Sequence, residues 1–392
     1  MAGKGSFFHG VTVSLVETGP RVIALPSSSI IGIVDTYTAG ADLAPADTPV
    51  LITSLREGVV KFGVESAMAK RLKEIYAQSA AVVVAVGVNK TAELTAAQLT
   101  SAVIGGVDAK GKRTGLQALL DAKSTTNQNP RLIIAPGHSS NPAVASAMVS
   151  LGDKLRGIAI IDGPNTDDEA ALAFVKNLGS KRAYVVDPGL RVWDTQLSAE
   201  VDAPASAATA GLFARQDALV GFWASPSNTE FSDVLGTKRP IEYLYGDASC
   251  RANLLNEAHV TTIIREGGFR LWGNRTLSAD PKWSFVTRVR TVDMVMDAIL
   301  KGHQWAVDRG ITKTYVKDVT DGLDAFMRDL KAMGAVINFE VFPDPDKNTA
   351  SALEEGRIFW TIRFTDVPPA ENPVFQVEVT NQWITEVLDF GR

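Results

Sequence analysis

Short apolar runs alternate with helical patterns along the first half of the chain, and this alternation constrains the fold more than any other sequence feature. The runs lie at residues 50–53, 81–86, 132–135, 158–161 and 184–186, and most of them end at a glycine, proline or aspartate. Helical patterns at about 65–79, 141–155 and 167–178 separate them. Continuous apolar strands that alternate with helices are typical of a parallel sheet covered on both faces. The pattern predicts a doubly wound α/β domain at residues 21–248.

The following third of the chain has a different pattern and predicts a smaller α+β domain at residues 249–370. Two helical stretches, at about 291–308 and 315–333, precede strand patterns at 335–342 and 357–365. The second helix has one apolar stripe that should pack on the domain core, formed by Val316, Val319, Leu323, Phe326, Met327 and Leu330.

The opposite face of that helix carries charges. Its exposed candidates are Lys317, Asp321, Asp324 and Arg328, in which Lys317/Asp321 and Asp324/Arg328 are spaced i,i+4. Gly334 is a natural stop for the helix. The face is either a binding surface or an ordinary solvated helix face, since exposed charges are common on helices.

Both ends of the chain read as isolated strands, predicted as arms at residues 1–20 and 371–392. The apolar positions that define these strands are Val11, Val13 and Leu15 near the start and Phe375, Val377, Val379, Ile384 and Val387 near the end. An isolated strand leaves its backbone amides without protein partners. Each arm therefore either adds to a sheet edge of a neighbouring subunit or folds back on its own inner sheet. Head-to-tail exchange that does not close would build a helical array.

Composition excludes several classes of protein. Hydrophobic residues make up 45% of the 392 residues and charged residues 21%, which is typical of a folded protein without a membrane span. The N-terminus lacks the apolar stretch of a signal peptide, so we expect synthesis in the cytoplasm. One cysteine and four scattered histidines argue against an intrachain disulfide or a structural zinc site. A net charge of −5 argues against a general nucleic-acid binder.

Loops at the strand ends are the one place where an enzyme site would be expected. The candidates are Gly137-His138-Ser139, Asp162-Gly163 and Asp187-Pro188-Gly189. Each has a structural explanation as a turn, and neither a Gly-x-Gly-x-x-Gly motif nor a Gly-x-Ser-x-Gly elbow supports catalysis. An α/β hydrolase or a nucleotide-binding enzyme remains the alternative interpretation.

Six segments carry a resemblance to a known family, and they are distributed over nearly the whole chain. These segments are Ser6–Val13, Pro136–Ser139, Cys250–Leu255, Arg270–Thr276, Asp308–Val316 and Phe364–Pro373. They closely resemble the tail sheath proteins of temperate contractile-tailed phages and of R-type pyocins.

The resemblance implies a structural protein without a cofactor, neither an enzyme nor inserted in a membrane. Such sheaths are stacked hexameric rings around a rigid tail tube, held extended in a metastable state until the baseplate triggers a contraction that drives the tube through the bacterial envelope. It implies an outer α/β domain, an inner domain that faces the tube, and arms that augment neighbouring sheets. Lys317, Asp321, Asp324 and Arg328 then become candidates for the tube-facing surface.

Partners are implied in the same way. They are further copies of the chain, the tail tube protein, and the baseplate and tail terminator proteins, without nucleic acid. Assembly is expected in the cytoplasm of the bacterial host, as part of a virion tail or a headless bacteriocin particle.

Overall fold

The computed structural model describes residues 23–388, and an eight-stranded sheet organises most of them. The strands are β1 (Ile31–Tyr37), β2 (Pro49–Ile52), β3 (Val83–Asn89), β4 (Leu132–Ile134), β5 (Ile158–Asp162), β6 (Ala183–Val186), β7 (Leu190–Asp194), β8 (Ala199–Ala203), β9 (Gly236–Thr237), β10 (Val260–Arg265), β11 (Phe269–Trp272), β12 (Val336–Pro343) and β13 (Trp360–Asp366).

The helices are α1 (Leu55–Phe62), α2 (Ala67–Gln78), α3 (Ala96–Ile104), α4 (Ala122–Thr126), α5 (Pro142–Leu155), α6 (Asp168–Val175), α7 (Ala205–Leu219), α8 (Arg251–Glu257), α9 (Val286–Gly302), α10 (Lys313–Ala332) and α11 (Ala350–Glu354). Short 3-10 helices span Gly115–Asp121, Pro281–Trp283, Gln304–Ala306 and Ile384–Leu388. None of the helices among the described residues has the length and apolar character needed to cross a membrane.

The large sheet has the strand order β11-β10-β6-β5-β4-β1-β3-β2. Its six inner strands pair in parallel, whereas β2 and β11 add to the two edges in antiparallel orientation. The five predicted apolar runs correspond to β2 through β6. The sequence reading did not include β1, although β1 is wholly buried and lies near the middle of the sheet.

Helices cover both faces of the large sheet, as the alternation of strands and helices predicts. α2 and α7 pack on one face, which we call the α2 face, and its core includes Leu72 and Phe213. α5, α6 and α8 pack on the other face, the α5 face, around Met148 and Phe174. Side-chain caps define helix starts on each face: Ser66 accepts a hydrogen bond from the Ala69 amide in α2, and Asn141 caps α5 ahead of Pro142.

The large domain extends further along the chain than predicted. β10 pairs with β6 and β11 pairs with β10, so the sheet continues to Trp272 and passes the boundary placed at residue 248. A separate three-stranded sheet of β7, β8 and β9 lies beside it. The predicted boundary fails because β10 joins a sheet edge that the chain had left at Val186, and strand pairing at that separation has no local signal.

A small α+β unit follows, formed by α9, α10 and the β12–β13 hairpin. α9 begins at Val286 and ends at Gly302, instead of covering 291–308. Its first turns contribute Val286 and Val289 to the core of the large domain, whereas Met294 and Ala298 belong to the core of the small unit. One helix therefore belongs to both cores.

Candidate assembly surfaces

α10 presents the two faces that its sequence pattern predicts. Thr312 caps its start by accepting a hydrogen bond from the Tyr315 amide, and Gly334, at φ +83°, follows its end. The predicted apolar stripe is buried from Val319 to Leu330, and only Val316, near the helix start, is half-buried.

On the opposite face, Lys317, Asp321 and Arg328 are exposed and Asp324 is half-buried. Arg328 and Asp324 form the expected i,i+4 ion pair at 2.9 Å. Such exposed pairs contribute only about 0.3–0.5 kcal/mol to stability, so the charges are available to a partner.

The β12–β13 hairpin packs one face on α10. Val341 and Ile362 are paired across the hairpin and contact the small core, and the Trp360 indole N–H donates to the Thr320 hydroxyl at 3.0 Å. Within residues 23–388 no third strand joins this sheet. Both outer edges of the hairpin therefore have backbone groups free to accept an added strand.

The segment after the hairpin is exposed, as expected of a strand that has no sheet partner within its own chain. Phe375, Val377 and Val379 are 85%, 89% and 93% exposed, and the backbone around them pairs with no strand in the described part of the chain. The described C-terminal residues therefore do not fold back onto their own hairpin. Apolar side chains in such a row rarely stay in water in a finished assembly.

Two details of the predicted arms differ from the structure or lie outside it. Ile384 and Val387 are exposed, but they lie in a 3-10 helix and not in a strand. The run from 383 to 388 is apolar without the strict alternation of 375–379, so its strand signal was weak. Val11, Val13 and Leu15 lie outside the described residues.

An ion pair fixes the base of the C-terminal segment. Arg275, just after the large sheet, pairs with Glu371 through both guanidinium nitrogens Nε and Nη2, at 2.8 and 2.5 Å. The segment beyond Glu371 therefore leaves the molecule from a defined point next to the large domain.

Largely buried ion pairs join α9 to the large domain, and sequence analysis did not identify them. Arg182 pairs with Asp293, and Arg131 and Arg156 both pair with Asp297. Both members of the Arg182–Asp293 pair are less than a tenth exposed. Their separation of 111 residues explains why the sequence gave no signal. We call this set of contacts the α9 joint.

The loops that suggested an enzyme are occupied by structural hydrogen bonds. Asp162, at the end of β5, accepts from the Ser139 and Ser206 hydroxyls and from the Ser206 and Gly137 amides, at 2.7–3.2 Å. Burial raises the pKa of Asp162, and the hydrogen bonds from Ser206, Ser139 and Gly137 oppose that rise. Its carboxylate links the end of β5 to the Gly137–Ser139 loop and to the start of α7.

The remaining candidates are also committed to the fold. Asp187 accepts from the Asn165 amide at 2.7 Å and pairs with Arg239. His138 contacts Asp35 at 3.2 Å while Ser139 is bound to Asp162, so the two do not form a nucleophile–base pair. The adjacent cavity holds about 230 Å³, below the usual size of a ligand pocket. Among residues 23–388 no cluster of metal-ligating side chains was found.

Family models of phage tail sheath proteins match most of the chain. Residues 111–277 match the model of the phage tail sheath protein central domain, and residues 278–380 match that of the phage tail sheath C-terminal domain. Residues 28–88 match the N-terminal region of domain III of the tail sheath protein Gp18. The chain belongs to the phage tail sheath family. Proteins of this family are structural, which settles the enzyme alternative against catalysis.

Individual relatives cover nearly the whole sheath chain. It is 63% identical over 385 residues to a protein of Pseudomonas aeruginosa (strain UCBPP-PA14) described as a prophage major tail sheath protein, covering 98% of this chain and 99% of the relative. It is 35% identical to the tail sheath protein of Escherichia phage P2, covering 97% and 98% of the two chains.

Solved structures show the same fold at lower identity. The contracted helical sheath of the anti-feeding prophage superposes with a TM-score of 0.73 at 19% identity, covering 95% of this chain and 99% of the other. The contracted sheath complex of the extracellular contractile injection system PVC gives 0.69 at 17% identity, covering 96% and 98%.

Proposed function

We propose that copies of this chain polymerise into the contractile sheath of a phage or bacteriocin tail, joined by exchange of terminal strands. The observation that carries the proposal is the row of exposed apolar side chains at Phe375, Val377 and Val379, on a backbone without a strand partner in the described residues. The hairpin β12–β13 offers a matching edge on the next copy. Residues 1–20, with Val11, Val13 and Leu15, supply the second arm.

Strand exchange suits a contractile polymer because the contacts that link the subunits differ from the contacts that change during contraction. A strand of about five residues adds roughly four or five backbone hydrogen bonds, each with a net value of about 1 kcal/mol. The arms keep hexameric rings connected while the domain faces exchange one set of contacts for another. The baseplate releases the metastable extended state, and the free-energy difference between the two packings drives the tube through the envelope without nucleotide hydrolysis.

In this arrangement the large α/β domain lies outside and the small α+β unit faces the tube. The domain boundary moves from residue 248 to the segment between Trp272 and α9, because β10 and β11 belong to the large sheet. The exposed face of α10, with Lys317, Asp321, Asp324 and Arg328, is the candidate tube contact. Its alternative is a solvated helix face.

The remaining partners follow from this role. They are the tail tube protein, the baseplate and the tail terminator protein, in a particle assembled in the cytoplasm of the bacterial host. Both a complete phage and a headless bacteriocin are compatible with the chain, whose relatives include prophage and phage sheaths.

Serine replacement on one side of the arm tests the proposal. The variant Phe375→Ser/Val377→Ser/Val379→Ser should abolish sheath formation, scored by pelleting and negative-stain electron microscopy with purified tubes. The matched control is Gln376→Ser/Glu378→Ser/Thr380→Ser, which alters the other side of the same strand and should assemble. The triple variant should unfold at the wild-type urea concentration, since these side chains are already in water. Normal sheaths from the triple variant would refute strand exchange by this arm.

A further inference from the structure

The hairpin β12–β13 has two open edges, and the proposed strand exchange supplies two arms. Both strands turn a row of apolar side chains toward the core of the small unit: Phe339 and Val341 on β12, and Trp360, Ile362 and Phe364 on β13. All five are only half-buried. Each edge therefore leaves apolar surface that an added strand would cover, and differences between the two strands decide which arm each edge receives.

A proline interrupts the outer edge of β12. The Asp344 amide donates to the Phe359 carbonyl at 2.9 Å, which makes these two residues a hydrogen-bonded pair. Hydrogen-bonded and non-hydrogen-bonded pairs alternate along an antiparallel hairpin. The next pair, Pro343 and Trp360, therefore turns its backbone groups outward. Because proline has no N–H, the outer edge of β12 lacks a donor at Pro343.

The outer edge of β13 is continuous. The same alternation directs the backbone N–H and C=O groups of Trp360, Ile362 and Phe364 away from β12. None of the three residues is a proline, and β13 pairs with β12 without a register shift from Trp360 to Thr365, whereas the start of β12 has one. An added strand can therefore form a complete ladder with these residues of β13.

Charge also distinguishes the two edges. Arg363 on β13 is opposite Glu340 on β12, on the face turned away from the small core, with Nη1 and Oε2 3.3 Å apart. Their side chains are 70% and 62% exposed. The one other charged side chain of the two strands, Asp366, pairs with Arg288 at 2.8 Å. The exposed face of β13 therefore presents a cation, and that of β12 presents an anion.

The charged groups around the hairpin do not alter this difference. Lys331, beside the start of β12, donates to the Asn338 side chain at 3.0 Å. The loop 344–359 has four acids and two bases, but it joins the two strands and so lies at the same end of both. The choice between the edges therefore depends on Glu340 and Arg363.

The C-terminal arm has one charged residue in its alternating stretch. When Phe375, Val377 and Val379 face the small core, Gln376, Glu378 and Thr380 lie on the opposite side of the same strand. Glu378 then lies near Arg363 if the arm joins β13, and near Glu340 if it joins β12. Opposite charges on neighbouring strands contribute about 0.2–1 kcal/mol, and like charges directly opposite each other are destabilising.

We propose that the C-terminal arm of one copy pairs with β13 of a neighbouring copy, with Glu378 beside Arg363. This inference rests on the proposed strand exchange and adds to it the choice of edge. Arg363 then lies between Glu378 of the neighbour and Glu340 of its own chain, whereas pairing with β12 would bring the two glutamates together. β12 is left for the other arm, whose alternate residues Thr12 and Ser14 are uncharged.

Disulfide trapping tests the choice of edge in assembled sheaths. In a Cys250→Ala background, Arg363→Cys/Glu378→Cys places one thiol on β13 and one on the arm. The matched control, Glu340→Cys/Glu378→Cys, uses the similarly exposed residue of β12. Mild oxidation should give a ladder of disulfide-linked oligomers from the first variant and at least tenfold less from the control, because neighbouring strands are about 4.8 Å apart and a disulfide does not span two such spacings.

Two outcomes of the trapping experiment would overturn the assignment. One is a control ladder of equal or greater intensity, which would place the arm on β12. The other is sheaths that form normally and give no ladder from either variant. In both cases strand exchange itself is untouched. Wild-type chains that never form sheaths with tubes would instead refute the proposed function, and the edge assignment with it.

Charge inversion is a second measurement that needs no cysteines. Glu378→Arg should lower the yield of pelleted sheath at least threefold, because it places two cations together at every link. Glu378→Gln should stay within twofold of wild type, since it removes only an exposed pair. The triple inversion Glu378→Arg/Arg363→Glu/Glu340→Arg restores the alternation of charge and should recover the yield to within twofold of wild type. An unchanged or higher yield from Glu378→Arg would contradict pairing with β13.

Discussion

The α9 joint buries charged side chains, whereas the C-terminal segment exposes apolar side chains to water. The joint takes charges out of water and pairs each one inside the chain, as Arg182 with Asp293. The C-terminal segment leaves Phe375, Val377 and Val379 in water without any partner among the described residues. The joint is complete in a single subunit, whereas in the proposed strand exchange a neighbour completes the segment. The comparison separates contacts within one subunit from the proposed contact between subunits.

The largest expected effect comes from breaking the joint on one side. Arg182→Ala should lower the free energy of unfolding by about 3–5 kcal/mol, because Asp293 is then a buried charge without its partner. Urea denaturation of the unassembled chain measures this change. Arg328→Ala is the control, since it removes an exposed pair and should change stability by less than about 0.5 kcal/mol. Similar losses for both variants would show that burial does not distinguish them.

Glu74 extends the comparison to a buried carboxylate of which only one oxygen, Oε1, has a hydrogen-bond partner. Burial raises its pKa to about 7, against the opposing effect of Arg71. An acid with a raised folded-state pKa favours folding most below its unfolded pKa, near 4.5, and that contribution is lost as pH rises through 7. Glu74→Gln should therefore stabilise the chain at pH 8 by roughly 3 kcal/mol and have little effect at pH 4.5. Thermal denaturation across this range checks the sign; a pH-independent difference would contradict it.

A smaller effect is expected where the two regions meet. Arg275→Ala removes the ion pair that fixes the segment at Glu371, and both side chains are more than a third exposed. The stability change should be below about 1 kcal/mol. Cleavage after the base of the segment should become several-fold faster in limited proteolysis, because the segment loses its fixed origin. An unchanged cleavage rate would show that the pair does not hold the segment.

The smallest effect on stability should come from the charged face of α10. Lys317→Glu/Arg328→Glu should leave the urea midpoint within about 0.5 kcal/mol of wild type, because both side chains are exposed. Co-sedimentation with purified tubes should nevertheless fall, since two cations become anions on the proposed tube-facing surface. Lys301→Glu, an exposed lysine on α9, is the control. Undiminished co-sedimentation would place the tube contact elsewhere.

The sequence predicted those helices and strands whose apolar pattern lies within a single short segment. The stripe from Val319 to Leu330 located α10 to within two residues, and apolar runs located β2 through β6. β1 was missed although it is central, because Gly32 and Asp35 interrupt its apolar run. Gly32 is required by packing: a Cβ there would lie 2.8 Å from Pro130.

Contacts between residues far apart in the chain could not be predicted from a single sequence. The α9 joint pairs residues more than a hundred positions apart, and β10 returns to the edge of β6 after an intervening sheet and two helices. The apolar alternation at 375–379 is visible in the sequence because a period-two pattern carries its signal within a few residues, and its role as an arm stays a prediction.

The hairpin β12–β13 gives each subunit a defined number of linking sites, which polymer chemists call the functionality of a monomer. If the arm is one reactive group and the open hairpin edge the other, a copy that keeps its hairpin but lacks residues 373–392 is a chain stopper. It still accepts a neighbour's C-terminal arm but offers none of its own, so each incorporated copy ends a line of growth through this contact. Small admixtures of this truncated chain should shorten sheaths in electron micrographs in proportion to their mole fraction, and sheath length then becomes a matter of stoichiometry.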